Sequence, residues 1–358
     1  MYNSIVTINI RRAICSFLLF SIYIIIYGQK PIPRHTFYFT PKQLWYDTDG
    51  NPINAHGGGI MKYDNTYYWY GEYKIGETVL PSWATWECYR TDVGGVSCYS
   101  SRDLLNWKFE GVVLQPEPNN PQSDLHPSKV IERPKVVYNA FTNKFVMWVH
   151  SESADYSKAC AGVAISNSPT GPFEYQGSFR PNESMSRDQT LFVDEDSICY
   201  QICSSENNQT IHINRLTKDY LKPDGNYVRR FIGQSREAPA IFKYNGHYYM
   251  LSSGCTGWDP NEAELAIAND IMGEWNILGN PCVGNAANKT FYGQSTYVIP
   301  VNPSKGMFIA CFDMWNKKNL SDSRYIWLPI KINRHTGTIR IPWMEKWKKN
   351  ELKKWKHL

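Results

Sequence analysis

A strand-turn-strand pattern that returns five times constrains this chain more than any other feature. It reads GGIMKYDNTYYWYGE (Gly58 to Glu72), PKVVYNAFTNKFVMWVHS (Pro134 to Ser151), TLFVDEDSICYQICSS (Thr190 to Ser205), PAIFKYNGHYYMLSSG (Pro239 to Gly254) and TYVIPVNPSKGMFIACFD (Thr296 to Asp313). Each copy joins two runs of branched and aromatic residues through Asn, Asp or Gly, which is the composition of a hairpin. A more polar pair of runs follows each copy: VSCYSSRDLLNWKFEG, AGVAISNSPTGPFEYQG, TIHINRLTKDYLKPDG, ELAIANDIMGEWNILG and RYIWLPIKINRHTGTIRI. Two hairpins per repeat make a four-stranded unit, and five such units predict an all-β, five-bladed β-propeller as a single domain over residues 29–345. A β-sandwich would not alternate apolar and polar hairpins five times. No long stretch holds a 3.6-residue apolar period, so helices should be scarce.

The ends of the chain read differently. Arg11-Arg12 precede AICSFLLFSIYIIIYG, an apolar run of about 15 residues that suits the core of a signal peptide better than a membrane span. Residues 1–28 are therefore expected to direct export, to a secreted or periplasmic location, with no stable membrane association after cleavage. Cys15 would leave with them. The terminal KWKKNELKKWKHL, residues 346–358, reads as a basic, solvated tail. Nothing beyond Pro342 reads as an appended carbohydrate-binding module. The other eight cysteines have irregular spacings and no CxxC pair, which predicts one or two disulfides at most and argues against zinc. The net charge of +5 comes largely from the tail and gives a nucleic-acid role little support.

In a propeller the first strand of every blade lines the central channel, so residues at its start gather at one face. The five starts are NAHGG, IERP, SRDQ, SREAP and YGQS, which supply His56, Glu132, Asp188, Glu237 and Gln294. Three carboxylates brought together repel one another and raise the proton affinity of at least one, as a general acid requires near neutral pH. Glycoside hydrolysis uses such groups. The abundant aromatics, 13 Trp and 24 Tyr, suit a cleft that stacks on sugar rings. The plain alternative is a structural channel in which Arg133, Arg187 and Arg236 neutralise the acids. Oxygen ligands of this kind could also hold calcium, but no EF-hand-like loop supports it. No metal and no cofactor is assigned.

The segments INAHGGGI, YYWYGE, ERPKVVYN, MSRDQTLF, REAPAIFK, SGCTGWDPN, GQST and SRYIWLPI, in this order from Ile53 to Ile330, resemble glycoside hydrolase family 43 and its exo-β-1,3-galactanase branch. The resemblance implies an inverting, exo-acting enzyme that releases galactose from the non-reducing end of β-1,3-galactan, the arabinogalactan backbone. By position it implies Glu237 as general acid and Asp188 as the residue that tunes it. The usual base, an Asp before the first inner strand, is replaced by Gly57. Gln294 then matches an amide near the water side of the sugar, and Glu132 an extra carboxylate. The expectation is that Gln294 holds the nucleophilic water and Glu132 binds sugar hydroxyls. His56, Glu72, Tyr156, Asn207, Thr256, Trp258 and Trp315 match sugar-contact positions. An α-L-arabinofuranosidase or β-xylosidase of the same fold is the alternative enzyme, and an inactive glycan-binding propeller the alternative of another class.

Overall fold

The computed structural model describes residues 35–353; residues 1–28, which the sequence reading takes as a signal peptide, lie outside the described residues. Blade one is built from β1 (His56–Tyr63), β2 (Thr66–Val79), β3 (Arg90–Ser101) and β4 (Lys108–Leu114). Blade two follows with β5 (Val130–Asn139), β6 (Lys144–Glu152), β7 (Cys160–Ser166) and β8 (Glu174–Phe179). Blade three has β9 (Gln189–Val193), β10 (Cys199–Ser205), β11 (Thr210–Leu216) and β12 (Pro223–Arg230). Blade four has β13 (Arg236–Tyr244), β14 (His247–Gly254), β15 (Glu264–Ala268) and β16 (Asn276–Gly279). After a short β17 (Cys282–Val283), blade five has β18 (Gln294–Asn302), β19 (Met307–Met314), β20 (Arg324–Ile332) and β21 (Ile339–Pro342). Each blade is an antiparallel meander, and β17 adds a parallel edge strand to the last one. The first strands adjoin in the order β1, β5, β9, β13, β18 and back to β1, closing the five-bladed propeller.

Local chemistry explains the hairpins. Asn245 and Gly246 both take positive φ, 51° and 81°, between the paired Tyr244 and His247. That is the turn whose twist matches two flanking strands. Asp64 and Asn65 do the same in blade one. Asn and Asp tolerate this region because their short polar side chains bond locally. The only helical elements among the described residues are short 3-10 turns.

One sequence expectation changes. The tail is not solvated along its whole length. Trp347 is 2% exposed, stacks on Phe39 at 4.1 Å and donates its indole N–H to the Trp327 carbonyl at 2.8 Å. Paired backbone bonds between Phe39 and Trp347 tie the two ends of the described chain together, and Leu352 is buried behind them. The aromatic cluster of Phe39, Trp45, Trp69 and Trp327 takes up Trp347, while Lys346 and Lys348 on either side of it stay exposed. The cysteines form no disulfide: all eight are free, and seven are buried as small apolar groups.

Candidate active site

The start of the inner strand carries the same irregularity in three blades. The register of β1 with β2 shifts between His56 and Gly59, of β5 with β6 between Glu132 and Lys135, and of β13 with β14 between Glu237 and Ala240. The residue after each of His56, Glu132 and Glu237 is left-handed: Gly57 at φ 58°, Arg133 at 51° and Ala238 at 53°. A bulge of this kind re-aims the side chain before it. Holding a non-glycine residue in that region costs about 1–3 kcal/mol, a strain that clusters at functional sites. The register therefore places His56, rather than Gly57, level with Glu132 and Glu237.

These bulges face a cleft of about 370 Å³ at the channel mouth, small for a ligand site. Glu132, Asp188, Glu237 and Gln294 all line it, as do Glu72, Tyr156, Asn207, Trp258 and Trp315. Two predicted contacts do not reach it. His56 is fully buried against Tyr325, ring centres 5.3 Å apart, and burial drives its proton affinity down to about 3. Its ring belongs to the packing beneath Trp315. Thr256 turns its hydroxyl into its own loop, donating to the Asp259 carbonyl at 2.6 Å.

Glu237 is the buried acid. Its Oε1 accepts from Gln294 at 3.0 Å and its Oε2 from Asn208 at 3.3 Å. Burial, reinforced by the negative charge of Asp188, pushes its proton affinity up to about 8. Arg133 organises the surrounding groups. Its guanidinium pairs with Asp188 at 2.8 Å and donates to the Gln294 amide oxygen at 2.6 Å and the Ser295 carbonyl at 3.0 Å. Gln294 Oε1 also accepts from the Trp315 indole at 2.9 Å, while its amide hydrogens go to Glu237 and to Ser253 at 3.1 Å. Reversing that amide would point NH2 at two donors, so its orientation is fixed. The amide is thus bonded directly to the acid.

Glu132 is the opposite case. Burial alone would favour its neutral form, but His150, Lys74 and Tyr156 together pull it down to about 2. The Tyr156 hydroxyl donates to it at 2.8 Å, and His150 lies 3.3 Å from both Glu132 and Glu152. Although burial opposes charge on His150, those two carboxylates raise it to about 9 and make it an imidazolium. Glu132, His150 and Asp188 bring one ligand atom each within 4.8 Å of one another. A metal ion there would have to displace Arg133 from Asp188 and discharge His150, so the donor set fits a cation poorly.

Glu72 explains Gly57. A Cβ built on Gly57 would lie 2.0 Å from Glu72 Oε1, so the glutamate from β2 occupies the space that a side chain on this residue would need. Glu72 Oε1 accepts from the Arg133 backbone N–H at 3.0 Å, and Oε2 pairs with Lys74 at 2.6 Å. Burial raises the Glu72 proton affinity, with Lys74 opposing. The Gly57 carbonyl is itself held by the buried Lys135 at 2.8 Å.

Comparison with known proteins gives the family. The profile described as Glycosyl hydrolases family 43 matches residues 51–345. The chain belongs to glycoside hydrolase family 43. Among solved structures it is similar to a GH43 β-1,3-galactosidase with galactodeoxynojirimycin, at 42% identity over 87% of this chain and 100% of that one, TM-score 0.80. It is similar to the exo-β-1,3-galactanase of Phanerochaete chrysosporium with β-1,3-galactotriose, at 33% identity over 87% and 68%, TM-score 0.76. It is also similar to that of Clostridium thermocellum, at 37% identity over 87% and 66%, TM-score 0.75. Among curated proteins, none matches this chain. This family 43 protein is a glycoside hydrolase.

Sequence reasoning gave no site role to several cleft residues. Trp86 sits in the loop after β2, and nothing in its local pattern marks it. Asn208 follows a residue that was singled out. His150 is paired in register with Glu132 and could be found only once that pairing was known. Arg133 enters the sequence reading only in the alternative of a structural channel, and its partner is Asp188 of the next blade rather than the Glu132 beside it.

Proposed function

We propose that this enzyme releases galactose from the non-reducing end of β-1,3-galactan, with inversion at the anomeric carbon. The observation that carries the reading is Glu237: a carboxyl that holds its proton to about pH 8, at the floor of a small cleft, in a chain 42% identical to a β-1,3-galactosidase. Glu237 donates that proton to the leaving glycosidic oxygen, while Asp188, anchored by Arg133, keeps the proton affinity high. Glu132, held as a carboxylate, takes sugar hydroxyls beside Tyr156. Trp258 and Trp315 meet edge to face at 5.4 Å and form an aromatic wall for the sugar ring.

Gln294 orients the attacking water in this scheme. Its amide oxygen stays on Arg133 and Trp315, so only the bond from its amide hydrogen to Glu237 opens, when a galactose ring enters between the two groups. The titration of Glu237 favours an enzyme over a glycan-binding propeller, since a binder gains nothing from a costly buried proton donor. The apolar leader in the sequence supports an exported enzyme. The test is to expose the chain to β-1,3-galactan, arabinan and xylan oligosaccharides. Single galactose units from the first alone are expected; arabinose or xylose as the main product would replace the reading with that of the alternative enzyme.

A further inference from the structure

A second cavity, of about 540 Å³, opens beside the cleft and shares Gly257, Trp258, Gln294 and Trp315 with it. Its chemistry is different. Four cations, Lys42, Lys317, Lys318 and Arg324, line it against the two carboxylates Asp259 and Asp322. Arg324 is matched by Asp322, and Lys317 by Glu87 and Asp259. Lys318 is exposed, and no carboxylate partner for it is found among the described residues.

Lys42 is the unusual one. Its ammonium stands 4.4 Å from the centre of the Trp343 ring and 4.9 Å from that of Tyr292, between two aromatic faces. Partial burial lowers its proton affinity, and Glu345 opposes this only through a longer-range charge effect. Glu345 is engaged by the Trp343 indole N–H at 2.7 Å, and no carboxylate lies within ion-pair distance of Lys42 among the described residues, so the ammonium can take an anion that comes from outside. Tyr292, itself 48% exposed, adds an open aromatic face to the same cavity. A neutral glycan has no use for the uncompensated charge.

We propose that this cavity, between blades four and five, is an anion subsite that takes an acidic substituent carried by the glycan, a uronate carboxylate or a sulfate ester. Lys42 and Lys318 supply the charge, and Tyr292 with Trp258 supplies the apolar surface for the ring that bears it. Because the cavity joins the cleft at Trp258 and Trp315, a branch on the galactose held in the cleft reaches Lys42 while the glycosidic bond lies at Glu237. The subsite rests on the galactan reading for its substrate, but its preference for anions does not.

Two measurements separate the claims. In the first, kcat and KM are compared for a neutral β-1,3-galacto-oligosaccharide, the same compound with a uronic acid branch, its carboxyl-reduced form and a sulfated form. The uronate or the sulfate is expected to lower KM about five-fold relative to the reduced form, with the effect fading at high salt. Lys42→Met and, independently, Lys318→Gln should erase that advantage and leave the neutral substrate unchanged. Whichever anion shows the larger effect identifies the source. Equal KM values for charged and reduced forms, or an advantage that survives both substitutions, would overturn the subsite. The second measurement titrates the intact chain with methyl glucuronide and methyl glucoside, following tryptophan fluorescence. Selective, Lys42-dependent binding of the glucuronide alongside no galactan hydrolysis would keep the subsite and reject the galactan reading. No selectivity in either measurement rejects the subsite, whatever the enzyme does to neutral galactan.

Discussion

A single proton on Glu237 governs the chemistry at the scale of residues. Burial and the neighbouring Asp188 stabilise the protonated form up to about pH 8, whereas Glu132, a few residues' width away across the cleft, is held as a carboxylate by His150 and Tyr156. Two carboxyls in one cleft are thereby pushed apart into a donor and an anion. The sign of the pH dependence follows. Because the acid must be protonated to act, kcat/KM should hold through neutral pH and fall as pH rises past about 8. Glu237→Gln should lower kcat by a factor on the order of 10² and remove that limb. A pH–rate profile of both proteins checks it; a limb near the ordinary carboxylate value would mean that another group is the acid. Glu237 and Asp188 were legible in the sequence because each opens an inner strand. The partners that set their titration were not, since Arg133 reaches into the next blade and Asn208 comes from the turn after β10.

The bulge at the start of the inner strand is the element that aims these groups. In blades two and four it costs a left-handed Arg133 and Ala238, and in blade one the same conformation falls on Gly57, where glycine is required twice over. Its φ is positive, and Glu72 fills the space beside it. Gly57→Ala should therefore lower folding stability by about 1–2 kcal/mol and, by displacing Glu72 from Arg133 and Lys74, reduce kcat/KM at least about ten-fold. Denaturant unfolding and kinetics on the same variant measure both; an alanine variant with unchanged activity would show that Glu72 has no part in the site. From sequence alone, Gly57 reads as the loss of an acid. The strand pairing sets Glu72 of β2 opposite His56, and its carboxylate fills the space beside Gly57. The hairpins were readable because turns such as Asn245-Gly246 determine their own geometry within four residues.

Across the whole molecule, five repeats fix five blades, and the propeller brings residues from different blades, such as Arg133 and Gln294 at 161 positions apart, to one channel mouth. That is why a ring of site residues could be read from repeat starts, and why the loops between them could not: Trp86 and Thr256 depend on how irregular segments settle over the cleft. Closure between the ends was equally hidden, because Trp347 lies among lysines and its burial depends on Phe39 and Trp327 from distant parts of the chain. The reaction proposed for this site is an exo-cleavage of β-1,3-galactan with inversion, and family 43 relatives include a β-1,3-galactosidase and an exo-β-1,3-galactanase. The most direct test is to follow hydrolysis of β-1,3-galactotriose by proton NMR from the first turnover. The account predicts galactose released as the α-anomer and only later converting to the β form, with galactobiose as the other initial product; β-galactose appearing first, or no galactose at all, would contradict it.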